Sequence, residues 1–406
     1  MAKNCVAVVK WAGGLVVAGV FSALVGATLV GFGVGSAFGG STLRRQVAGG
    51  SASPSSLAVH PSVFPIQEYV EESERDYPLR LMKPLQITQV KGDVSVQGWA
   101  FDKVRIKIRK KVLTDSPIKA KKMFTWLDYR YDPTQRNLEI ASQYGSGLSI
   151  EERVREKDKP QVKLEITVLA PSHLNLQIWV VDGRVTLKNW LGPAEVRSNS
   201  GSVRVENFKG NLISVVCASC SAQFRQIRGS LRSMTGSGAV DLSQVQGDSI
   251  YVETEEGALR MSEVSGNQLY TSKRGSMEGQ FLSGKVEFQG GESRLNFREI
   301  KGFLSGSLES GEIRAQVRDW KFLDQGIIET QSGDIHLGLP RRFSADLDVW
   351  SKAGNVEVNF PIMPGKDVDS IGPQPLGRLM GRAREGGSLL RVYSESGNIH
   401  LNHEDF

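Results

Sequence analysis

The sequence predicts an all-β protein: a parallel β-solenoid of 18–19-residue coils with an N-terminal β region, preceded by one transmembrane helix. Three observations lead to this fold class. Glycine recurs at a fixed interval through residues 183–360, the residues between the glycines alternate between apolar and polar, and residues 11–34 carry no charge. A short period that is kept over many units is typical of stacked repeats rather than of one globular core.

The first observation is a row of marker positions spaced 18 or 19 residues apart, in which Cys220 and Ser293 twice replace glycine. A second row of glycines follows nine residues after the markers. The marker glycines are Gly183, Gly201, Gly238, Gly257, Gly275 and Gly311, and the second row is Gly192, Gly210, Gly229, Gly247, Gly266, Gly284 and Gly302. Because glycine permits positive φ and close backbone approach, both rows are predicted to lie at corners between short strands.

The second observation is a period of two residues after each marker. Val203 and Val205, two and four residues after Gly201, flank the polar Arg204, and the other coils repeat this pattern. Side chains two apart share one face of a strand, so the apolar rows are predicted to point inward. Neighbouring coils must bury each other's rows, at roughly 1.5–3 kcal/mol per aliphatic side chain.

The third observation predicts a membrane anchor in residues 1–40, since the uncharged run 11–34 would span about 36 Å as a helix. It would contact membrane lipid. Small residues recur every four positions in this run, a spacing that suits either a homodimer of packed anchors or a span without a partner. A cleaved signal peptide is the alternative, because small residues at 35–37 follow the apolar run.

The remaining boundaries follow from composition. Residues 41–83, rich in Gly, Ser and Pro with an acidic patch, are predicted to be a flexible tether. Residues 84–182 contain alternating strand patterns and are predicted to form an N-terminal β region that caps the solenoid. The solenoid repeats occupy 183–360, and residues 361–406 form a Pro/Gly loop and a terminal strand.

One strand pattern has a basic face, made by Lys103, Arg105, Lys107 and Arg109. It is either a solvated, edge-protecting face or a contact for anionic lipid headgroups or a surface polymer. The net charge of +6 permits a polyanionic partner without identifying one. Nucleic acid is not expected, because no aromatic residues interleave with these cations to stack on bases.

The pair Cys217 and Cys220 leaves three interpretations open: two thiols at a corner, a structural disulfide in an oxidising compartment, or a redox site. Redox enzymes place a Cys-x-x-Cys motif at a helix N-terminus, which this repeat lacks. The five histidines are scattered, and neither a metal site nor a cofactor is predicted.

No catalytic residues are assigned. A carbohydrate-active enzyme is nevertheless one alternative, since Asp241 and Glu278 would lie on one ladder two coils apart, roughly 9–10 Å, with Arg260 between them.

Several motifs resemble a bacterial family of envelope proteins known as "putative adhesins". They are Val94-Ser-Val-Gln-Gly-Trp-Ala-Phe-Asp, the coil Ser200-Gly201-Ser-Val-Arg-Val, Glu329-Thr-Gln-Ser-Gly-Asp-Ile-His-Leu and Asp346-Leu-Asp-Val-Trp-Ser-Lys-Ala-Gly-Asn-Val-Glu-Val. The resemblance covers about residues 85–401. It implies a β-solenoid, often membrane-tethered, in a cell-surface or envelope-stress setting.

We therefore expect a non-enzymatic, single-pass membrane protein of the cell envelope whose C-terminal domain lies outside the cytoplasm. Its solenoid surface would bind a polymer or a protein. A scaffold that polymerises end to end is the alternative from another class, and uncapped terminal coils would favour it.

Overall fold

The computed structural model describes residues 66–79, 84–125, 127–131, 138–144, 161–321, 325–364 and 377–404. Every described residue belongs to one compact unit, Ser62–Phe406. This part is nearly all strand, which confirms the all-β class. No helix within the described ranges is both long and apolar enough to cross a membrane. The predicted anchor, residues 11–34, lies outside them.

The described elements are strands apart from one short helix. In chain order they are β1 (Gln67–Pro78), β2 (Leu85–Lys91), β3 (Asp93–Trp99), β4 (Lys103–Thr114), α1 (Pro117–Phe124), β5 (Leu127–Tyr131), β6 (Leu138–Tyr144), β7 (Gln161–Pro171), β8 (Leu176–Trp190), β9 (Ala194–Phe208), β10 (Leu212–Arg228), β11 (Ser230–Ser237), β12 (Val240–Ser310), β13 (Ile313–Trp320), β14 (Gly326–Ser332), β15 (Ile335–Pro340), β16 (Ala345–Ser351), β17 (Val356–Val358), β18 (Ile362–Met363), β19 (Arg378–Ala383), β20 (Leu389–Ser394) and β21 (Ile399–Glu404).

The central strands stack as parallel coils with two faces. The first halves of β8, β9 and β10 pair in one parallel ladder, and their second halves pair in another. Val185 lies beside Val203, which lies beside Ala222, so each coil advances by 18 or 19 residues. The long extended stretch β12 continues both ladders. The fixed repeat of the sequence therefore corresponds to one turn of the solenoid.

The predicted inward rows form the core. The residues two after each marker are at most 1% exposed: Val185, Val203, Ala222, Val240, Leu259, Met277, Leu295 and Ile313. Aromatic residues add to these columns, and Phe297 makes edge-on contacts with Tyr270 and Phe288, each at a centroid distance of 6.2 Å. One continuous core cluster runs through the stack.

The marker positions are corners at which successive backbones almost touch. At Gly257 φ is +148°, and a Cβ there would lie 2.1 Å from the carbonyl oxygen of Gly238. A side chain is excluded by both conformation and space. Cys220 and Ser293 occupy the same register, because they approach Gly238 and Gly311 in the same way.

The N-terminal end of the stack contains a coil that is out of chain order. Strand β2 lies between β6 and β8, and β3 lies between β7 and β8. Strand β4 then pairs antiparallel with β7, and β1 pairs antiparallel with β4. The parallel ladders thus extend beyond the predicted repeat range 183–360.

The tether predicted for residues 41–83 requires a correction where it is described. Residues 67–78 form strand β1 instead of a flexible segment. The physical reason is the acidic patch, whose alternating carboxylates match the cations of β4 in register.

At the C-terminal end, too, the order of the coils in the stack differs from their order in the sequence. The coil of β14 and β15 pairs with β20 and β21, and only then do β16 and β17 follow. Strand β19 covers β16 in antiparallel orientation. Residues 389–404 are therefore inserted between two coils that precede them in the sequence.

We predict that Leu401→Ala lowers the free energy of unfolding by about 2–5 kcal/mol, because Leu401 is fully buried in this inserted coil. The exposed neighbour Asn402 provides the control, since Asn402→Ala should change the free energy of unfolding by less than about 0.5 kcal/mol. Equilibrium urea unfolding checks both. Equal, small effects would contradict the insertion of β21 into the stack.

Candidate functional site

A row of left-handed residues follows six positions after the markers, where each coil turns its chain inward again. Seven non-glycine residues there have φ between 52° and 57°: Asn189, Asn207, Gln226, Gln244, Glu263, Phe281 and Glu299. L-residues other than Asn seldom adopt this conformation. The turn makes two successive side chains point outward before the next apolar residue enters the core.

A groove runs along this corner, parallel to the stack. We call it the corner groove, an open space of about 490 Å³. Its lining residues are Asn207, Lys209, Gln226, Ile227, Arg228, Gln244, Val245, Gln246, Glu263 and Ser265. One wall is the left-handed row, and the other is the row two residues later. The buried residues Ile227 and Val245, which lie between these two rows, form the floor of the groove.

The walls of the corner groove carry hydrogen-bonding groups in a regular array. The Asn207 Nδ2 donates to Asn189 Oδ1 at 2.7 Å, and the Gln244 Nε2 donates to Glu263 Oε2 at 3.1 Å. Each carboxamide offers donors and acceptors, so these contacts leave capacity free for a ligand. Lys209 and Arg228 add positive charge on the opposite wall.

The sequence prediction missed this site. The outward polar residues of a strand and those of a left-handed turn look alike in one sequence. A usable signal exists nevertheless: Asn, Gln or Glu recurs at one fixed position in all but one of seven consecutive coils.

A second, smaller groove of about 350 Å³ contains the carboxylates considered for carbohydrate chemistry. Asp241, Arg260 and Glu278 lie on consecutive coils, and Arg260 Nη1 is 3.5 Å from Asp241 Oδ1. The guanidinium group thus stands between the carboxylates, where a glycosidase would need the sugar and a water molecule.

The basic row of β4 is covered by carboxylates of β1. Asp76 binds Lys103 at 2.6 Å and Arg105 at 2.7 Å. Glu72 binds Arg109 and lies 3.5 Å from Lys107. All four predicted cations therefore take part in holding an edge strand.

These contacts shift the acidity of both carboxyl groups. The hydrogen bond from Arg105, followed by that from Lys103, holds the pKa of Asp76 well below its usual range. The hydrogen bond from Arg109 likewise lowers the pKa of Glu72. Both groups stay ionised under mildly acidic conditions, which keeps the charge pairs intact.

Cys217 and Cys220 are joined by a disulfide, with their Cα atoms 6.0 Å apart. The bond spans the corner between the two faces of one coil. In the neighbouring coil, Ser198 and Gly201 occupy the corresponding positions. The bond thus links two positions that the adjacent coil leaves unlinked.

The outward histidines come together near the C-terminal end. The rings of His336 and His400 stack at a centroid distance of 4.7 Å. His400 Nδ1 is 3.0 Å from Glu357 Oε2, and burial lowers the pKa of His336. In the described ranges, no group of three or more His, Cys, Asp or Glu residues is arranged to hold a metal ion.

Residues 133–402 match the protein family Toastrack DUF4097. This match spans more than half of the 406 residues. The chain belongs to the Toastrack DUF4097 family. The predicted resemblance is thereby confirmed. No curated protein matches the chain.

Solved bacterial structures are similar at low identity. A putative cell adhesion protein from Clostridium sporogenes is 10% identical, over 83% of this chain and 100% of that one, with a TM-score of 0.21. A putative adhesin from Parabacteroides distasonis is 10% identical, over 64% of this chain and 97% of that one, with a TM-score of 0.38. A putative lipid binding protein from the same species is 13% identical, over 66% of this chain and 97% of that one, with a TM-score of 0.27. TM-scores this low support no argument about function.

We predict that the charge pairs between β1 and β4 weaken in acid. The ordinary pKa values of Glu72 and Asp76 are 4.5 and 3.8, and the folded values are lower. The stabilisation is therefore complete above about pH 4.5 and is lost as the pH falls through the folded values.

At neutral pH, the double variant Glu72→Gln/Asp76→Asn should increase amide hydrogen exchange in β1 several-fold, and high salt should do so in the wild type. Glu68→Gln, on the same strand, is the matched control. Unchanged exchange in the double variant would show that backbone pairing alone holds β1.

We also predict that reducing the Cys217–Cys220 disulfide lowers the free energy of unfolding by about 2 kcal/mol, the chain-entropy value for so short a loop. Urea unfolding with and without reductant measures this difference. The control is Cys217→Ser/Cys220→Gly, which restores the residues of the adjacent coil and should not respond to reductant. Three free thiols under non-reducing conditions, instead of the single thiol of Cys5, would refute the bond.

Proposed function

We propose that the chain is a non-enzymatic, membrane-anchored protein of the cell envelope that binds a ligand on its solenoid surface. The corner groove carries this proposal. It offers a regular array of carboxamides above a continuous buried core, which suits recognition of an extended molecule. The chain belongs to the Toastrack DUF4097 family, and its motifs resemble those of adhesin-like proteins. Both observations support a binding role.

The anchor and the location are parts of the same proposal. The uncharged run 11–34 would hold the protein in the membrane, and its regularly spaced small residues would let two anchors pack as a dimer. The Cys217–Cys220 disulfide supports a location of the solenoid on the oxidising side of the membrane.

The other two functions are less well supported. Antiparallel strands cover one ladder at each end of the stack, β4 with β1 at one end and β19 at the other, which does not favour end-to-end polymerisation through those ladders. For the carbohydrate-active enzyme, Arg260 stands where the reacting sugar would be needed. Anionic headgroups would have to displace the carboxylates of β1 to reach β4.

Fractionation of bacterial cells that produce the chain tests the anchor. The full chain should sediment with membranes and resist alkaline carbonate, while a variant lacking residues 11–34 should be released. Protease is added to cells whose outer layer has been permeabilised but whose cytoplasmic membrane is intact. It should digest the solenoid if the solenoid lies outside the cytoplasm. A full chain that is soluble, or protected from protease, would contradict the proposed location.

Binding is tested by co-sedimentation of the released variant with purified, protein-free cell walls and with anionic lipid vesicles. We expect retention on the cell walls, because the corner groove displays hydrogen-bonding groups rather than an apolar or strongly basic surface. Failure to sediment with either material would contradict a binding function on the envelope.

A further inference from the structure

Phe281 departs from the pattern of the left-handed row. Its φ is 57°, and its side chain is 49% exposed. Its neighbours in this row, Glu263 and Glu299, are polar, as are all the others. A bulky aromatic residue is rare at positive φ, and an exposed ring gains little from burial. Strain of this kind, kept without a packing gain, points to a function.

Phe281 lies one coil beyond the residues that line the corner groove, at the next position of the left-handed row. Gly284 packs on Gly266 in the same way as Gly266 packs on Gly247, so the register of the row is unbroken. With about 4.8 Å between coils, the wall from Asn207 to Glu263 is about 14 Å long, and Phe281 extends it to about 19 Å. This length suits an oligomer rather than a single small molecule.

The chemistry along the groove fits sugar hydroxyl groups. A hydroxyl both donates and accepts hydrogen bonds, and a carboxamide does the same, so Gln226 and Gln244 can bond to hydroxyls in either sense. Phe281 offers a flat apolar face against which the C–H face of a sugar ring can pack. Among the lining residues, the positive charges of Lys209 and Arg228 are partly offset by Glu263. Glu299 does not add to this, because it pairs with Arg318 at 3.2 Å. The single net positive charge that remains is too small to select a polyanion and is compatible with a ligand without net charge.

Other extended ligands fit less well. A peptide that adds a strand needs a free sheet edge, but the backbones beside the groove already pair with neighbouring coils. A nucleic acid needs a continuous run of cations, and Glu263 interrupts this one.

We propose that the corner groove and Phe281 form a binding site for a neutral polysaccharide that lies parallel to the stack. The carboxamides of Gln226 and Gln244 bind its hydroxyl groups, and one sugar ring packs on Phe281. This inference rests on the proposed binding function and names the ligand class for it.

The test uses the full chain in lipid nanodiscs and an immobilised panel of neutral glucose, mannose and N-acetylglucosamine polymers. We expect the wild type to bind at least one polymer. Phe281→Asn, which installs a residue already present at this position in two other coils, should weaken binding at least tenfold without loss of folding. Gln226→Ala/Gln244→Ala should do the same.

Trp179→Asn is the matched control, because Trp179 is a similarly exposed aromatic residue outside the groove. It should bind like the wild type. Wild-type affinity in both groove variants would overturn the site. Binding to cell walls without binding to any neutral polymer would overturn the ligand class and leave the proposed function standing. Binding to neither would overturn both.

Discussion

Stacking of coils in strict register is the constraint on which the rest of the structure depends. A coil of 18 or 19 residues has too little interior to fold alone, so each apolar row is buried only by the coils above and below it. Close stacking in turn forces the backbones together at the corners. At Gly257 this leaves no room for a Cβ, and the glycine repeat is the result.

The two ends of the stack solve a different problem, because a terminal coil exposes unpaired backbone groups and an apolar row. Antiparallel strands cover one ladder at each end. At the N-terminal end, β1 is held by alternating ion pairs along β4 as well as by its backbone. The basic row that suggested a polyanion partner therefore has a structural role in this part of the chain.

The repeat could be predicted from sequence because its rows are local: period two gives the strands, and the marker spacing gives the coils. The coil made by β2 and β3 could not. It pairs with β8 across 91 residues, as the hydrogen bond from Gln86 to Gln177 shows, and no local pattern specifies such a partner. The corner groove was missed for another reason, since a left-handed turn at Gln226 or Gln244 has no glycine to mark it.

The insertion of residues 389–404 has a consequence for synthesis on the ribosome. Strands β16 and β17 leave the exit tunnel before the coil that separates them from β14 and β15 exists. Folding cannot then proceed by simple addition of each new coil to the growing rod. The final arrangement of this end must wait until residues 389–404 have left the ribosome, so a segment that emerges after β16 and β17 completes the middle of the sheet rather than its edge.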